Sequence, residues 1–202
     1  SKIEIDRYFK EITQIIKRFN KKDKKKSKLI SEKTSIVICY GDSVFNSKQK
    51  YQIKGFQNFY QKKLKNYFNT VHFLPFYPSS SDSGFAVKDH YKIDNKIGKW
   101  SDISNFAKKN DVMADIVINH SSARGLWFRN CLREKKPGKN YFLTVDAKFN
   151  TSKVIRPRDH ELLKKINIFN KTEYLWRTFI PDQLNLNFKN PTDISRAIKI
   201  II

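Results

Sequence analysis

Two continuous apolar runs, each followed by a polar cluster, dominate the hydrophobic pattern of the chain. The run VHFLPFYP begins at Val71 and leads into a Ser-rich loop, and the run DVMADIVI begins at Asp111 and leads to His120. Strands of a parallel sheet that is covered on both faces are continuously apolar rather than alternating. A third block, SIVICY at 35–40, has the β-branched composition of a strand. We therefore predict parallel strands over 35–41, 71–77 and 112–118.

Apolar residues at three- and four-residue steps predict helices around these strands. One stripe covers 5–19 and another covers 56–68, and Ser101 is a candidate N-cap for a short helix that ends near Ala107. The order helix, β, α, β, α, β predicts a parallel sheet with right-handed crossovers. The chain has 202 residues, fewer than the roughly 250 of a closed (β/α)8 barrel.

The periodicity breaks down over 121–187, where aromatic residues are scattered among loop residues. This stretch is too long for an ordinary connection between a strand and a helix, so we predict a loop-rich inserted subdomain. Asn190 and Pro191 then indicate the N-cap and first turn of another helix.

The net charge of +22 arises from 41 Lys and Arg residues against 19 Asp and Glu residues. Such a charge would ordinarily indicate a nucleic acid or an anionic membrane as partner. Here the lysines are spread along the chain and accompany abundant Asn, Ile, Phe and Tyr, all of which have A/T-rich codons. The dense run at 21–28 lies between predicted elements and is typical of a solvated loop. We therefore predict neither a nucleic-acid nor a membrane partner.

The two cysteines, Cys39 and Cys131, form no CxxC motif and are too few for a disulfide framework, which predicts a reducing cytoplasm. No stretch approaches the eighteen or so apolar residues that a membrane span needs, and the charged N-terminus has no signal-peptide pattern. Residue 1 is Ser rather than Met, so we expect a processed or truncated N-terminus.

Six motifs along the chain together resemble one enzyme family. In chain order they are CYGDSVF, VHFLPFYPSSSDSGFAVKDHYKI, IGKWSDI, MADIVINHSSARGLWF, VIRPR and FIPDQLNLNFKNP. From about Thr34 onward the chain resembles the alpha-amylase superfamily, glycoside hydrolase family 13, and within it the sucrose phosphorylase-like subfamily. The resemblance implies a retaining enzyme that breaks an α-glucoside such as sucrose and passes the glucosyl group to inorganic phosphate, with no cofactor.

The fold class implied is α/β, as part of a (β/α)8 barrel that holds strands one to three, with the loop-rich subdomain inserted after strand three. The expected organisation is an N-terminal helix and basic loop at 1–33, the first part of the barrel at 34–120, the inserted subdomain B at 121–187 and the start of the third barrel helix at 188–202.

Carried over by position, the resemblance assigns five substrate-binding residues. Asp82 would bind the glucosyl hydroxyls, Phe85 would stack beside the sugar ring, and His120 would bind the primary hydroxyl. Arg158 would lie on the acceptor side, where a guanidinium suits fructose hydroxyls or phosphate, and Gln183 would help to fix that side. Each has a structural alternative: Asp82 could cap a turn, Phe85 could belong to the core, and Arg158 could be a surface cation.

Three further polar residues are expected to organise the strand ends and loops: Asp89, Asp115 and Asn119. We expect Asp82 and His120 on the same rim, because reactive residues follow the carboxyl ends of parallel strands. The remaining histidines, His72, His90 and His160, have no partners at metal-ligand spacing, so we predict no metal site.

The chain departs from the family pattern in two ways. Asn185 stands where the pattern usually has Asp. Retaining glycosidases also need a carboxylate nucleophile and a carboxylic acid about 5 Å apart, and no Arg-x-Asp-Ala string, which carries the family's nucleophile, occurs in the sequence. We expect both catalytic carboxylates beyond Ile202, so that the 202-residue chain alone is inactive.

Alternative functions stay open at this point. Within the family they are phosphorolysis of glucosylglycerate or of sucrose 6-phosphate, and hydrolysis of sucrose. From another class, the alternative is a non-catalytic basic binding remnant.

Overall fold

The computed structural model describes residues 2–22, 30–155, 158–168 and 171–190, together with residues 195 and 200. The helices are α1 (Lys2–Lys22), α2 (Gln52–Phe59), α3 (Trp100–Ala107) and α4 (Leu126–Cys131). The strands are β1 (Ile36–Cys39), β2 (Thr70–Phe73), β3 (Asp111–Ala114), β4 (His120–Ser122), β5 (Thr144–Val145), β6 (Leu163–Ile168), β7 (Lys171–Trp176) and β8 (Gln183–Asn185). The chain forms two compact units: the sheet unit, Leu29–Val117, and the second unit, Ser1–Lys28 with Ile118–Ile202.

The sheet unit contains a parallel sheet in the order β1-β2-β3, as the sequence pattern predicts. The strands are shorter at their carboxyl ends than predicted. Leu74 N still donates to Cys39 O (2.9 Å), but the next residue, Pro75, has no N–H to continue the ladder. On β3, Asp115 N donates to Phe73 O (3.2 Å), after which the chain leaves the sheet.

One face of this sheet forms the core of the sheet unit. Val71 and Phe73 on β2 have no exposed surface. The Phe73 ring packs edge-on against Phe56 of α2 and Phe106 of α3, at centroid distances of 5.5 and 5.9 Å. The amphipathic stripes of these helices therefore cover the sheet, and a π-helical turn at Tyr60–Leu64 extends α2.

The opposite face of the sheet is open. Ile38 pairs with His72, which pairs with Met113, and the two apolar residues are 61% and 37% exposed. Continuous apolar runs are typical of strands covered on both faces, and three strands of an eight-stranded barrel leave the inner face uncovered, as is seen here among the described residues. The runs are continuously apolar because this second face also carries aliphatic side chains, on the side that faces inward when such a sheet closes into a barrel.

The second unit has more regular structure than the pattern at 121–187 indicated. Besides its loops it contains α4, an antiparallel pair β4-β8 and a three-stranded antiparallel sheet in the order β5-β7-β6. Its core includes Trp127, Phe128 and Leu184, with Leu175 of β7 at the centre and without exposed surface. Strands of two to six residues, with consecutive exposed lysines in β6, leave too short an alternation to detect in the sequence.

Both ends of the chain were predicted to be helical. The first helix is present as α1, longer than the predicted 5–19. From Asp23 to Leu29 the basic run lies outside the described residues, and of the helix predicted within 188–202 only Ser195 and Ile200 are described, both as helical. None of the described helices is long and apolar enough to cross a membrane.

Candidate functional site

The loop after β2 presents Asp82 through an unusual backbone conformation. Asp82, Ser83 and Gly84 have successive φ values of 58°, 48° and 103°. Asp tolerates the left-handed region better than most residues, and Gly adopts it without steric cost. Phe85 N donates to Asp82 O (2.9 Å) and closes the turn. Such a run of positive φ persists only where the surroundings fix it, and it is typical of functional loops.

The base of this loop is closed like a strand pair. Ser79 and Val87 form an antiparallel bridge, and Lys88 N donates to Pro78 O at 2.7 Å. Gly84 lies directly on the β2 exit, because a Cβ atom added there would be 2.4 Å from Pro75 O. Asp82 is therefore held at the exposed tip of a loop whose base is fixed to the sheet.

A cavity of about 310 Å³ lies beside this loop, at the carboxyl ends of β1 and β2. Its polar lining includes Tyr40, Asp42, Ser83, Asp94 and Lys96. The volume lies at the lower end of the range for small-molecule pockets, roughly 300 to 1,000 Å³. Hydroxyl, carboxylate and ammonium groups can together hydrogen-bond a polyhydroxylated ligand.

Phe85 and Asp89 both make structural contacts within the sheet unit. Phe85 is half-buried and packs against the core of the sheet unit, so part of its ring has the structural role considered above. Asp89 accepts a hydrogen bond from Tyr91 N (2.9 Å) and pairs with Lys92 (3.4 Å). These are the contacts of a carboxylate that ties a loop, and the structural role of Asp89 stays a prediction.

Two histidines without a role in the sequence analysis hold the strand ends together. His90 is buried and donates from Nε2 to Val117 O (2.7 Å), joining the loop after β2 to the segment after β3. His72 Nε2 contacts Asp115 Oδ1 at 2.8 Å. Tyr77 donates from its hydroxyl to Asp115 O (3.2 Å), and burial, with Asp115 adding a smaller effect, raises the pKa of Tyr77. Asp115 is therefore fixed from two sides.

In the second unit, β4 and β8 bring three of the motif residues together. The antiparallel register places His120 opposite Asn185 and Ser122 opposite Gln183. His120 and Gln183 are both buried, and the His120 ring lies 5.4 Å from that of Phe179. The backbone pairing of β4 and β8 thus fixes the relative positions of His120 and Gln183, which the resemblance assigns to substrate binding.

Asn185 explains why the departure from Asp is tolerated locally. Its Oδ1 accepts a hydrogen bond from Thr178 N (3.0 Å), which an amide oxygen can do as well as a carboxylate oxygen.

Asn119 is exposed, and its main-chain carbonyl accepts a hydrogen bond from Leu186 N (3.0 Å). Arg158 is exposed, and the two residues before it, Arg156 and Pro157, lie outside the described residues.

The five predicted substrate-binding residues are divided between the two units. Asp82 and Phe85 belong to the sheet unit, whereas His120, Arg158 and Gln183 belong to the second unit. The convergence of Asp82 and His120 on one rim stays a prediction. Over the described part of the chain no group of three His, Cys, Asp or Glu side chains could hold a metal ion.

The chain is similar to amylase-type enzymes in sequence and in fold. The family described as alpha amylase, catalytic domain, matches residues 44–201. The glucosylglycerate phosphorylase of Allomeiothermus silvanus is 37% identical over 172 residues, which cover 85% of this chain and 31% of that protein. The sucrose phosphorylase of Bifidobacterium adolescentis is 27% identical over 162 residues, covering 75% and 31%. A crystal structure of sucrose 6F-phosphate phosphorylase from Thermoanaerobacter thermosaccharolyticum aligns with a TM-score of 0.71 at 24% identity, covering 85% and 37%.

The extent of these matches defines what the 202 residues represent. The chain spans about a third of the length of the curated relatives that it matches. The structural likeness, together with parallel strands β1 to β3, confirms the predicted fold class of a partial (β/α)8 barrel. The rest of the barrel in those relatives has no counterpart among these residues.

Proposed function

This chain belongs to the family of alpha-amylase catalytic domains, and from that premise we propose that it forms the glucosyl-binding part of a retaining α-glucoside phosphorylase. Such an enzyme converts an α-glucoside and inorganic phosphate into glucose 1-phosphate and the released acceptor. The observation that carries the proposal is the sequence similarity to relatives that are phosphorylases, at up to 37% identity over 85% of this chain. Phosphorylases of this family use phosphate as co-substrate, and we propose no cofactor.

On the donor side, we assign the glucosyl contacts to Asp82, Phe85 and His120. The fixed positive-φ loop supports Asp82 in this role, because a preorganised carboxylate binds sugar hydroxyls without first being ordered. The burial of His120 supports a hydrogen bond to a hydroxyl that is removed from water. The half-exposed Phe85 ring can pack against the apolar face of the sugar while its other side packs on the core.

On the acceptor side, we assign phosphate or acceptor binding to Arg158 and a positioning role to Gln183. An exposed guanidinium can donate two parallel hydrogen bonds to the oxygens of a phosphate. The identities favour glucosylglycerate as a candidate donor beside sucrose, because the Allomeiothermus silvanus relative is 37% identical and the Bifidobacterium adolescentis relative 27%.

We further propose that the enzyme works in the cytoplasm. Cys39 and Cys131 are both free and buried. Burial raises the pKa of their thiols to about 12 and about 11, which keeps both protonated and unreactive. Two inert thiols agree with a reducing compartment.

The first test asks whether these residues support catalysis only when the rest of a phosphorylase is present. Purified 202-residue chain, incubated with phosphate and either sucrose or glucosylglycerate, is expected to release no glucose 1-phosphate, because a retaining enzyme needs a carboxylate nucleophile and these residues contain no Arg-x-Asp-Ala string. A chimera in which these residues replace the matching third of the Allomeiothermus silvanus enzyme is expected to release it. An inactive but folded chimera would contradict the proposed function. Turnover by the chain alone that Asp82→Ala abolishes would also contradict it, because another carboxylate of the chain would then serve as nucleophile.

The donor-side prediction is that His120→Ala impairs the chimera with every donor. The substitution removes a hydrogen bond that a buried sugar hydroxyl cannot replace. We therefore expect transition-state stabilisation to weaken by about 1 to 3 kcal/mol, so that kcat/KM falls roughly 5- to 150-fold. Steady-state kinetics with two donors measure this. A loss confined to one donor would place His120 outside the glucosyl subsite.

The acceptor-side prediction is that Arg158→Ala raises the phosphate concentration that the chimera requires. Slow hydrolysis of the glucosyl enzyme should continue, because water needs no cationic partner. Kinetics with varied phosphate separate the two reactions, and Arg129→Ala, which removes another exposed arginine of the second unit, serves as the control. Equal losses of hydrolysis and phosphorolysis would show that Arg158 only supports the second unit.

A further inference from the structure

Another arginine of the second unit, Arg177, is buried beside the segment that carries Arg158. Arg177 follows β7 and is 7% exposed. Its Nη2 donates to the main-chain oxygen of Glu161 (3.0 Å), and its own N–H donates to Leu162 O (2.8 Å). The guanidinium of Arg177 thus lies against residues that follow Arg158 by three and four positions. Nothing in the sequence pattern distinguished it from the other 40 basic residues.

The guanidinium of Arg177 lacks a full set of hydrogen-bond acceptors among the described residues. Its Nε is buried, and no acceptor from the described residues reaches it. Among the described residues, the carboxylate that pairs with Arg177 is that of Glu161, whose Oε2 lies 3.9 Å from Nη2, too far for a hydrogen bond. Burial lowers the pKa of Arg177, and the Glu161 carboxylate only partly offsets this. A buried cation is costly unless it is paired and hydrogen-bonded.

The Glu161 side chain provides little of the missing pairing. It is 89% exposed, so its carboxylate remains hydrated and can move away at small cost. The edge of a guanidinium formed by Nε and one Nη offers two parallel donors, which match two oxygens of a phosphate or a carboxylate. On Arg177 this edge combines the unmatched Nε with Nη2.

We propose that Arg177 binds a small oxyanion, a phosphate or the carboxylate of an acidic acceptor, through Nε and Nη2, and that Glu161 is displaced when the anion enters. The proposal rests on the proposed function in placing this anion on the acceptor side of the reaction. Arg177 is then a specificity-determining residue in addition to Arg158, and Glu161 is a weak internal competitor for it.

The test is an anion titration of the 202-residue chain. Inorganic phosphate and D-glycerate are titrated separately at constant ionic strength, with chloride as the replaced anion, because screening alone changes weak ionic binding. Calorimetry gives the affinity, and the Arg177 Nε–H resonance reports whether the anion reaches this group. We expect saturable binding of at least one oxyanion, with a shift of that resonance. Binding of phosphate alone would identify the anion as the co-substrate, and binding of D-glycerate alone would identify it as the carboxylate of an acidic acceptor.

Four variants separate anion binding from a structural role of Arg177. We expect Arg177→Gln to weaken binding at least tenfold, Arg177→Lys to weaken it less, and Arg129→Gln, which removes an exposed charge of the same unit, to leave it unchanged. Glu161→Gln should tighten binding about threefold by removing the competitor. An arginine that only anchors the chain would give no tightening in Glu161→Gln.

The proposal is overturned if neither anion moves the Arg177 Nε–H resonance, if Arg129→Gln weakens binding as much as Arg177→Gln, or if Glu161→Gln fails to tighten it. Should Arg177→Gln not fold, the resonance shift and the Glu161→Gln affinity still decide. The outcome is independent of the donor side. A chimera that turns over while no anion binds at Arg177 would sink this inference alone, whereas anion binding beside an inactive chimera would sink the proposed function.

Discussion

Replacing Phe73 with alanine is expected to lower the free energy of unfolding of the sheet unit by about 3 to 5 kcal/mol. Phe73 lies on the central strand β2 and has no exposed surface, so its loss leaves a cavity that the sheet cannot close. The ring also makes edge-on contacts with Phe56 and Phe106, which the substitution removes. Urea unfolding followed by hydrogen exchange of peptides within 29–117 measures the loss in this unit specifically.

The control is Ile38→Ala on the neighbouring strand β1, at a position on the open face of the same sheet. Ile38 is 61% exposed, so we expect its truncation to cost well under the Phe73 value. Equal costs for the two substitutions would mean that the open face of the sheet is covered in solution.

Periodicity predicted the sheet because its information is local. The strands predicted at 35–41, 71–77 and 112–118 are confirmed over 36–39, 71–73 and 112–114, and their carboxyl ends differ because Pro75 and the turn after Asp115 stop the ladder. An open face is expected of three strands of an eight-stranded barrel, but the residues that stay exposed on it were not predicted, because an apolar pattern records which side chains are apolar and not what covers them. The hairpin of β6 and β7 was missed because its lysines interrupt the alternation.

The candidate site was predicted from motifs, which indicate the functional residues but not the residues that hold them in place. Asp82 and Gln183 could be assigned by position, but the partners of Asp115 could not, since His72 lies 43 residues away in the chain. Arg177 carries no signal at all in a chain with 41 basic residues. Only its burial and its unmatched Nε distinguish it from the surface cations.

The support of the Asp82 loop leads to the second large effect: Gly84→Ala is expected to disrupt this loop. Gly84 has a φ of 103°, and an added Cβ would be 2.4 Å from Pro75 O, a backbone atom that cannot rotate away. The backbone conformation alone should cost about 1 to 3 kcal/mol, and the steric conflict adds to it. Hydrogen exchange of the peptide that contains 79–87 should rise in the 202-residue chain. Turnover by the chimera should fall, because Asp82 is no longer preorganised.

The matched control is Ser83→Gly, one residue earlier. Ser83 has a φ of 48°, which glycine adopts more readily than serine, so we expect the loop to be as stable or slightly more stable. One substitution thus adds a Cβ atom at a positive-φ position and the other removes one, and only the substitution that adds it should loosen the loop. If Ser83→Gly loosened it as much as Gly84→Ala, the loop would be held by the Ser83 side chain and not by its backbone conformation. If neither changed exchange or turnover, Asp82 would not depend on this conformation for sugar binding.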